Sequence, residues 1–273
     1  MPDKTLRILA IGAHPDDCEV KCGAAAAMWS AAGHTVRFVS ATNGETGHQV
    51  QGGAQLAQRR VAEARAAADV LGAESLVLPI PNGQLEPNLI YRRLFIRVIR
   101  EFAPDLVLTH RPNDYHPDHR YTSQLVQDSA YIVTVPNTAA ETPALRYNPV
   151  MAYFSDTFRK PCPFEPSVVI ATDSAIDRKI DALHCHTSQM YEWLPWTAGR
   201  LDEVPAGEAE RRAWLFEWRS GRDAAVAERF REMLIARYGR ETGSAAGYAE
   251  AFEGCEYGAP LDDAQIERLF AGL

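Results

Sequence analysis

The sequence predicts an α/β fold: a doubly wound, mostly parallel sheet with helices on both faces and a mainly helical C-terminal cap. Two observations carry this expectation. Short apolar runs of strand length alternate with helix-forming stretches as far as about residue 133, an order that builds a parallel sheet covered by crossover helices. The first and fourth of these runs also end directly in clusters of His and Asp, and parallel sheets bind ligands beyond the carboxyl ends of their strands.

Taken in order, Leu6 to Ala13 reads as a buried strand, too short and too rich in Ile for a lone helix. Residues 19–32, with Ala24 to Ala27, Met28 and Trp29, favour a helix that Gly33 stops. A second strand over Thr35 to Thr42 leads into the polar loop Asn43-Gly44-Glu45-Thr46-Gly47-His48. A helix over 54–71 ends near Gly72, a third strand spans Ser75 to Ile80, and the turn Pro81-Asn82-Gly83 follows. Helix 88–102 carries Leu94, Phe95, Val98 and Ile99 on one face and stops before Pro104. The fourth strand, Asp105 to His110, delivers the second cluster, from which a helix runs from about His119 to Val133. Val150 to Phe154 and Ser167 to Ala171 fit two further strands, with a helix over 174–190. The stretch 200–273 reads as helical over Glu208 to Trp218, Asp223 to Tyr238 and Asp262 to Phe270. No flexible linker precedes it, so residues 1–199 are expected to form the main domain and 200–273 an extension packed on it. The whole is Rossmann-like, without the Gly-x-Gly-x-x-Gly signature of a dinucleotide site.

The bulk properties narrow the function. With 28 basic against 36 acidic residues the net charge is -8, which argues against nucleic acid as the main partner. No apolar run has membrane-spanning length, and the N-terminus shows no signal-peptide organisation. Five scattered cysteines without a Cys-x-x-Cys pair fit a reducing cytoplasm better than a disulfide scaffold.

The chemistry concentrates in His14-Pro15-Asp16-Asp17 after the first strand and His116-Pro117-Asp118-His119 after the fourth. Adjacent carboxylates repel unless a positive charge sits among them, and a divalent metal is the natural candidate. In the strand order 3-2-1-4-5 the chain reverses between strands 1 and 4, so both clusters would reach one crevice. His14, one of Asp16 and Asp17, and one or both of His116 and His119 would then hold the ion. Such a set of two imidazoles and a carboxylate, with one position open to water, suits catalytic zinc. The remaining carboxylate is free to act as a base.

These residues resemble the PIG-L/LmbE-like family of zinc-dependent N-deacetylases. Its Ala-His-Pro-Asp-Asp signature matches Ala13 to Asp17, and its His-Pro-Asp-His signature matches His116 to His119. Thr42 to Glu45, Arg60 to Ala64 with Leu71-Gly72, and His186-Thr187-Ser188-Gln189 resemble three further family elements, so the likeness spans roughly residues 5–190. The resemblance implies zinc on His14, Asp17 and His119 and Asp16 as general base; two imidazoles and a carboxylate would also accept iron(II). It further implies a protonated His116 that stabilises the oxyanion, its ring oriented by Asp118, and Arg60 at the substrate end. Asp114, which could equally cap its loop, and His186, which could equally be a polar helix residue, join Arg60 as substrate-binding candidates. The expected activity is removal of an acetyl group from an N-acetylated amino sugar or conjugate by a cytoplasmic homo-oligomer, a trimer or hexamer. Hydrolysis of another small amide, or metal or sugar binding without catalysis, are the alternatives. Cys18, Lys21-Cys22 and Gly23-Ala24 depart from common family patterns around the first signature. Trp193 and Trp196 are either core aromatics or a stacking wall for a sugar.

Overall fold

The computed structural model describes residues 5–273. The first half alternates as the apolar pattern requires. It runs β1 (Arg7–Gly12), α1 (Asp17–Ala31), β2 (Thr35–Ser40), α2 (Gly53–Leu71), β3 (Glu74–Val77), α3 (Leu89–Phe102), β4 (Leu106–Thr109) and α4 (Pro117–Ser129). Then come β5 (Val150–Phe154), β6 (Val168–Ala171), α5 (Ile176–Cys185), a π-helical turn over Ser188–Trp193 and the short α6 (Leu194–Thr197). The C-terminal stretch forms α7 (Glu208–Arg229), α8 (Arg231–Tyr238), α9 (Arg240–Ala245), β7 (Ala249–Gly254) and α10 (Asp263–Leu269).

The seven strands form one sheet in the order β3-β2-β1-β4-β5-β7-β6. The first five are parallel, with Ile8 opposite Val36 on one side and Leu106 on the other. Alternate residues of each strand enter different cores, as the two-residue pleat demands. Ile8, Ala10, Phe38, Leu108 and Ala152 pack with Ala24 to Ala27 and Trp29 of α1. Leu9, Ile11, Val39, Val107 and Met151 pack with Phe95, Ile99 and Phe102 of α3 and Leu125 of α4. The expected α/β class, the order 3-2-1-4-5 and helices on both faces are thus observed.

The second half departs from expectation in three ways. The stretch 200–273 is mainly helical but also contains β7, which lies antiparallel between β5 and β6. Its Ala249-Glu250-Ala251-Phe252 pattern hides a strand because Glu250 is buried rather than solvated. Helix α7 runs without a break from Glu208 to Arg229; an interior glycine such as Gly221 costs a helix only about 1 kcal/mol, and packing overrides it. The helix expected over 174–190 instead stops at Cys185 and resumes as the π-helical turn, leaving His186 at the break.

Glu250 also explains a kink in α1, where Cys22 leaves helical geometry (φ -145°, ψ 23°). The amides of Ala24 and Ala25, just beyond the kink, donate to the two carboxylate oxygens of Glu250 at 3.1 and 2.9 Å. Lys179 of α5 neutralises the charge, its Nζ 2.8 Å from Glu250 and 2.6 Å from Asp223 of α7. Four elements meet at this buried triad.

Candidate metal centre and its cavity

β1 and β4 are neighbours in the sheet, so the loops leaving them share one crevice. The first loop is tight. A Cβ on Gly12 would lie 2.7 Å from Asp17 Cβ, so only glycine lets the strand end approach α1 so closely. Asp16 itself adopts φ 146°, a conformation costly to a non-glycine residue and found chiefly where function holds it. The second loop ends at His116, whose Nδ1 caps α4 by accepting from the Asp118 amide at 3.1 Å.

Three atoms then converge. His14 Nδ1 lies 3.4 Å from Asp17 Oδ2 and 3.3 Å from His119 Nε2, and His119 Nε2 lies 3.5 Å from Asp17 Oδ2. This near-equilateral triangle fits an ion. Donors held at about 2.0–2.1 Å around a tetrahedral centre are separated by about 3.4 Å. Asp17 Oδ2 is fixed by the amides of Ala13 and His14 at 2.9 and 2.8 Å. A ring nitrogen of His116 lies within 4.8 Å of those of His14 and His119.

The outer nitrogens of the two imidazoles are also met by carboxylates. His14 Nε2 is 3.2 Å from Asp118 Oδ2, which also accepts from the Gly83 amide at 2.7 Å. His119 Nδ1 is 3.1 Å from Asp114 Oδ1, which accepts from the His116 amide at 3.0 Å. Carboxylate support on the far nitrogen is how metal-binding imidazoles are oriented and made more basic. His110 closes the back of the site. Its ring stacks on His119 at 4.0 Å, and its Nε2 lies 3.2 Å from Asp17 Oδ2.

The electrostatics invite positive charge at the triangle. Burial disfavours a charged His14, yet Asp118 and Asp17 hold its pKa up at about 9. Burial likewise opposes ionisation of Asp17, but His119 and His110 keep its carboxyl well below the usual range. Asp16 moves the other way: burial raises it, Arg60 opposes and Asp17 adds to the rise. His116 is pushed down to about 4 by burial and by the rings of His14 and His119. With Nδ1 accepting from Asp118, the neutral ring carries its proton on Nε2.

Both signatures therefore meet, and His14, Asp16, Asp17, His116 and His119 come together. Four expectations change. The Asp118 side chain engages His14 rather than His116; only its amide touches His116. Burial and the rings of His14 and His119 disfavour the protonated form expected of His116. Arg60, 2% exposed, faces the protein interior, donating to Pro15 O at 2.6 Å and Asp16 Oδ1 at 3.1 Å. His186 is fully buried with Nε2 3.3 Å from Glu19, closed off from the crevice. Asp114 does line the cavity, although its Oδ1 is committed to His119. Trp193 and Trp196 stack on each other at 5.3 Å, and neither lines the cavity. Cys18 is buried with Sγ toward Ala10 O and Val39 O, away from the triangle.

A cavity of about 630 Å³ opens beside the triangle. Asp16, Asp17, Asp114 and His119 form one side, with Tyr115 and Phe158 nearby. The opposite wall is α7, through Trp218, Arg219, Arg222 and Val226, with Lys21 of α1 between. Sequence reasoning missed this wall. The only available signal was Arg219-Ser220-Gly221-Arg222, which reads as a gap between helices rather than as part of one.

Fold and site together define an α/β protein with a histidine–carboxylate cluster, able to hold a metal ion, at the switch point of its sheet. Over residues 9–130 the chain matches the GlcNAc-PI de-N-acetylase (PIG-L) family. It is 26% identical over 203 residues to the diacetylchitobiose deacetylase of Thermococcus kodakarensis, covering 70% of this chain and 73% of that protein. It is 25% identical to the 4-oxalmesaconate hydratase of Pseudomonas putida, covering 69% and 76% of the two chains. Among solved structures, N,N'-diacetylchitobiose deacetylase from Pyrococcus horikoshii superposes with a TM-score of 0.71 at 20% identity, covering 94% of this chain and 86% of that one. No helix among the described residues is long and apolar enough to cross a membrane.

Proposed function

We propose that this chain is a metal-dependent N-deacetylase that hydrolyses the acetamide of an N-acetylated amino sugar or sugar conjugate to free amine and acetate. The observation that carries the reading is the triangle of His14 Nδ1, Asp17 Oδ2 and His119 Nε2 at 3.3–3.5 Å, with Asp16 beside it on the same loop. The deacetylases among the relatives support it. His14, Asp17 and His119 would hold the ion, zinc or alternatively iron(II), since two imidazoles and a carboxylate accept both. When bound, the ion supplies Lewis acidity and lowers the pKa of water toward ~7.

The residues divide the remaining work. Asp16 takes the proton from the attacking water. Arg60 grips its Oδ1, which leaves Oδ2 to receive that proton, and burial makes the carboxylate a stronger base than an exposed one. His116 donates from Nε2 to the carbonyl oxygen as negative charge develops there, a contribution of about 3–4 kcal/mol for one well-placed donor. Asp16 then returns the proton to the departing amine. Asp118 and Asp114 fix the rings of His14 and His119. We place the protein in the cytoplasm as a homo-oligomer, a trimer or hexamer.

The test is metal content per chain by plasma mass spectrometry on untagged protein, followed by free-amine assays on a panel of N-acetylated sugars with and without chelator. Near one zinc or iron per chain, chelator-sensitive amine release and its loss in Asp16→Asn are expected. Full activity in Asp16→Asn would sink the base assignment. A second reading is hydration of an unsaturated carboxylate, favoured by the likeness to the 4-oxalmesaconate hydratase over 69% of the chain. Loss of enone absorbance without amine release would select it.

A further inference from the structure

The carboxylates that line the cavity are matched by partners within the protein. Asp16 is paired with Arg60, and Asp17 and Asp114 face His14 and His119. Asp156 is held by Arg111 at 2.9 Å, while Asp223 and Glu250 share Lys179. The cations lining the same cavity are not matched. Lys21 donates only to a backbone carbonyl, Ser155 O at 2.8 Å. Arg219 and Arg222 form no ion pair among the described residues. Arg222 is exposed, but Arg219 is only 6% exposed, its guanidinium 5.0 Å from the Trp218 ring. A buried guanidinium that touches no carboxylate, with Asp16 and Asp223 acting on it only from a distance, is expensive, and such a group persists where a ligand completes it. The same stress appears in its titration: burial and Arg222 beside it push Arg219 down to about 9.

From this imbalance we infer that the substrate carries an anionic oxygen group, a carboxylate or a phosphate, away from the bond that reacts, and that Arg219, with Arg222 and Lys21, receives it. The inference rests on the cavity beside the metal cluster being the substrate site. Arginine suits the role because its planar fork pairs two oxygens of a carboxylate or phosphate at once. Arg219 and Arg222 lie three apart on one helix and therefore on neighbouring parts of one face. The neutral sugar ring would then occupy the space between this wall and the metal cluster.

The experiment compares three matched probes on metal-loaded protein: N-acetylglucosamine, its 3-O-lactyl ether bearing a carboxylate, and its 6-phosphate. Binding is measured calorimetrically on the Asp16→Asn protein, and amine release on the wild type. At least one anionic probe is expected to bind about 10- to 100-fold more tightly than the neutral sugar, the range of one or two charge-assisted hydrogen bonds. Which anion does so separates carboxylate from phosphate. The advantage should shrink toward onefold in Arg219→Gln and in Arg222→Gln, and survive in Arg219→Lys. Because Arg222 is exposed, its variant provides the answer even if Arg219→Gln fails to fold. Equal binding of the neutral sugar, no binding of either anion, or an advantage that survives in Arg222→Gln would overturn the inference. Tight binding of an anion without amine release would count against the deacetylase reading alone. Release from all three probes at one rate, with equal binding, would count against the anionic site alone.

Discussion

Arg60 Nη2 lies 3.1 Å from Asp16 Oδ1 and 2.6 Å from the carbonyl of Pro15, with the guanidinium almost wholly buried. One side chain thus secures both the carboxylate proposed as base and the strained backbone that presents it. In the proposed reaction Arg60 is a positioning residue, and Arg60→Lys should reveal this. A lysine keeps the charge, but its ammonium does not sit where Nη2 donates to both Pro15 O and Asp16 Oδ1. We expect kcat to fall about 10- to 100-fold, in line with loss of one or two charged hydrogen bonds, with KM changed by less than about 2-fold. A large rise in KM at constant kcat would mean that Arg60 binds substrate instead.

Gly44 sets how Arg60 lies. It has φ +70°, and an added Cβ would meet Arg60 Nη1 at 2.6 Å. Gly44→Ala should therefore cost about 1–3 kcal/mol in chemical denaturation, from backbone strain and displacement of the guanidinium. Its kcat should fall with that of the Arg60 variant, and the double variant should lose less than the sum, because the two changes act through one side chain.

Asp118 braces His14, so Asp118→Asn should weaken metal affinity by about 10- to 100-fold, the usual effect of removing a carboxylate behind a metal-binding imidazole. The Asn carbonyl can still accept from the Gly83 amide, which keeps the loop in place. Competition with a chromogenic chelator measures the change directly. An unchanged affinity would return Asp118 to a purely structural role.

Lys179 should matter to stability. Replacing it by Met strands two buried carboxylates, and loss of one partner from such a cluster typically costs 3–5 kcal/mol, here about 4 kcal/mol by urea unfolding. Burial works against the ammonium, but Asp223 and Glu250 overcome it and raise its pKa. A base raised on folding contributes in full below its unfolded pKa, ~10.4, and loses that contribution as pH climbs through the higher folded value. The lysine's contribution should thus be constant from neutral pH to about pH 10 and decline only beyond it. A decline between pH 7 and 9 would contradict this.

The sheet was legible because each of its first five strands is an apolar run of strand length, and the site because both signatures sit where two of those strands end. β7 was not, since Glu250 looks like a surface residue until Lys179 and the amides of α1 are seen to satisfy it. The same limit hid the roles of Arg60 and His186: residue type tells that a charge needs a partner but not which one lies within reach. Asp118 shows the limit at shortest range. It is two residues from His116, yet its carboxylate turns to a ring on another strand's loop.

The position of β7 has a consequence for how the protein is made. Strands usually accrete at the margin of what has already folded, but here Ala249–Gly254 separates β5 from β6, both of which leave the ribosome far earlier. Until it arrives, β6 has no neighbour in the sheet and Lys179 lacks Glu250, one of its two acids. The second half of the molecule therefore closes only after residue 254 has emerged, with both strands exposed as unpaired edges meanwhile. A premature stop before residue 249 should consequently yield a chain that chaperones retain and proteases clear, rather than a trimmed enzyme.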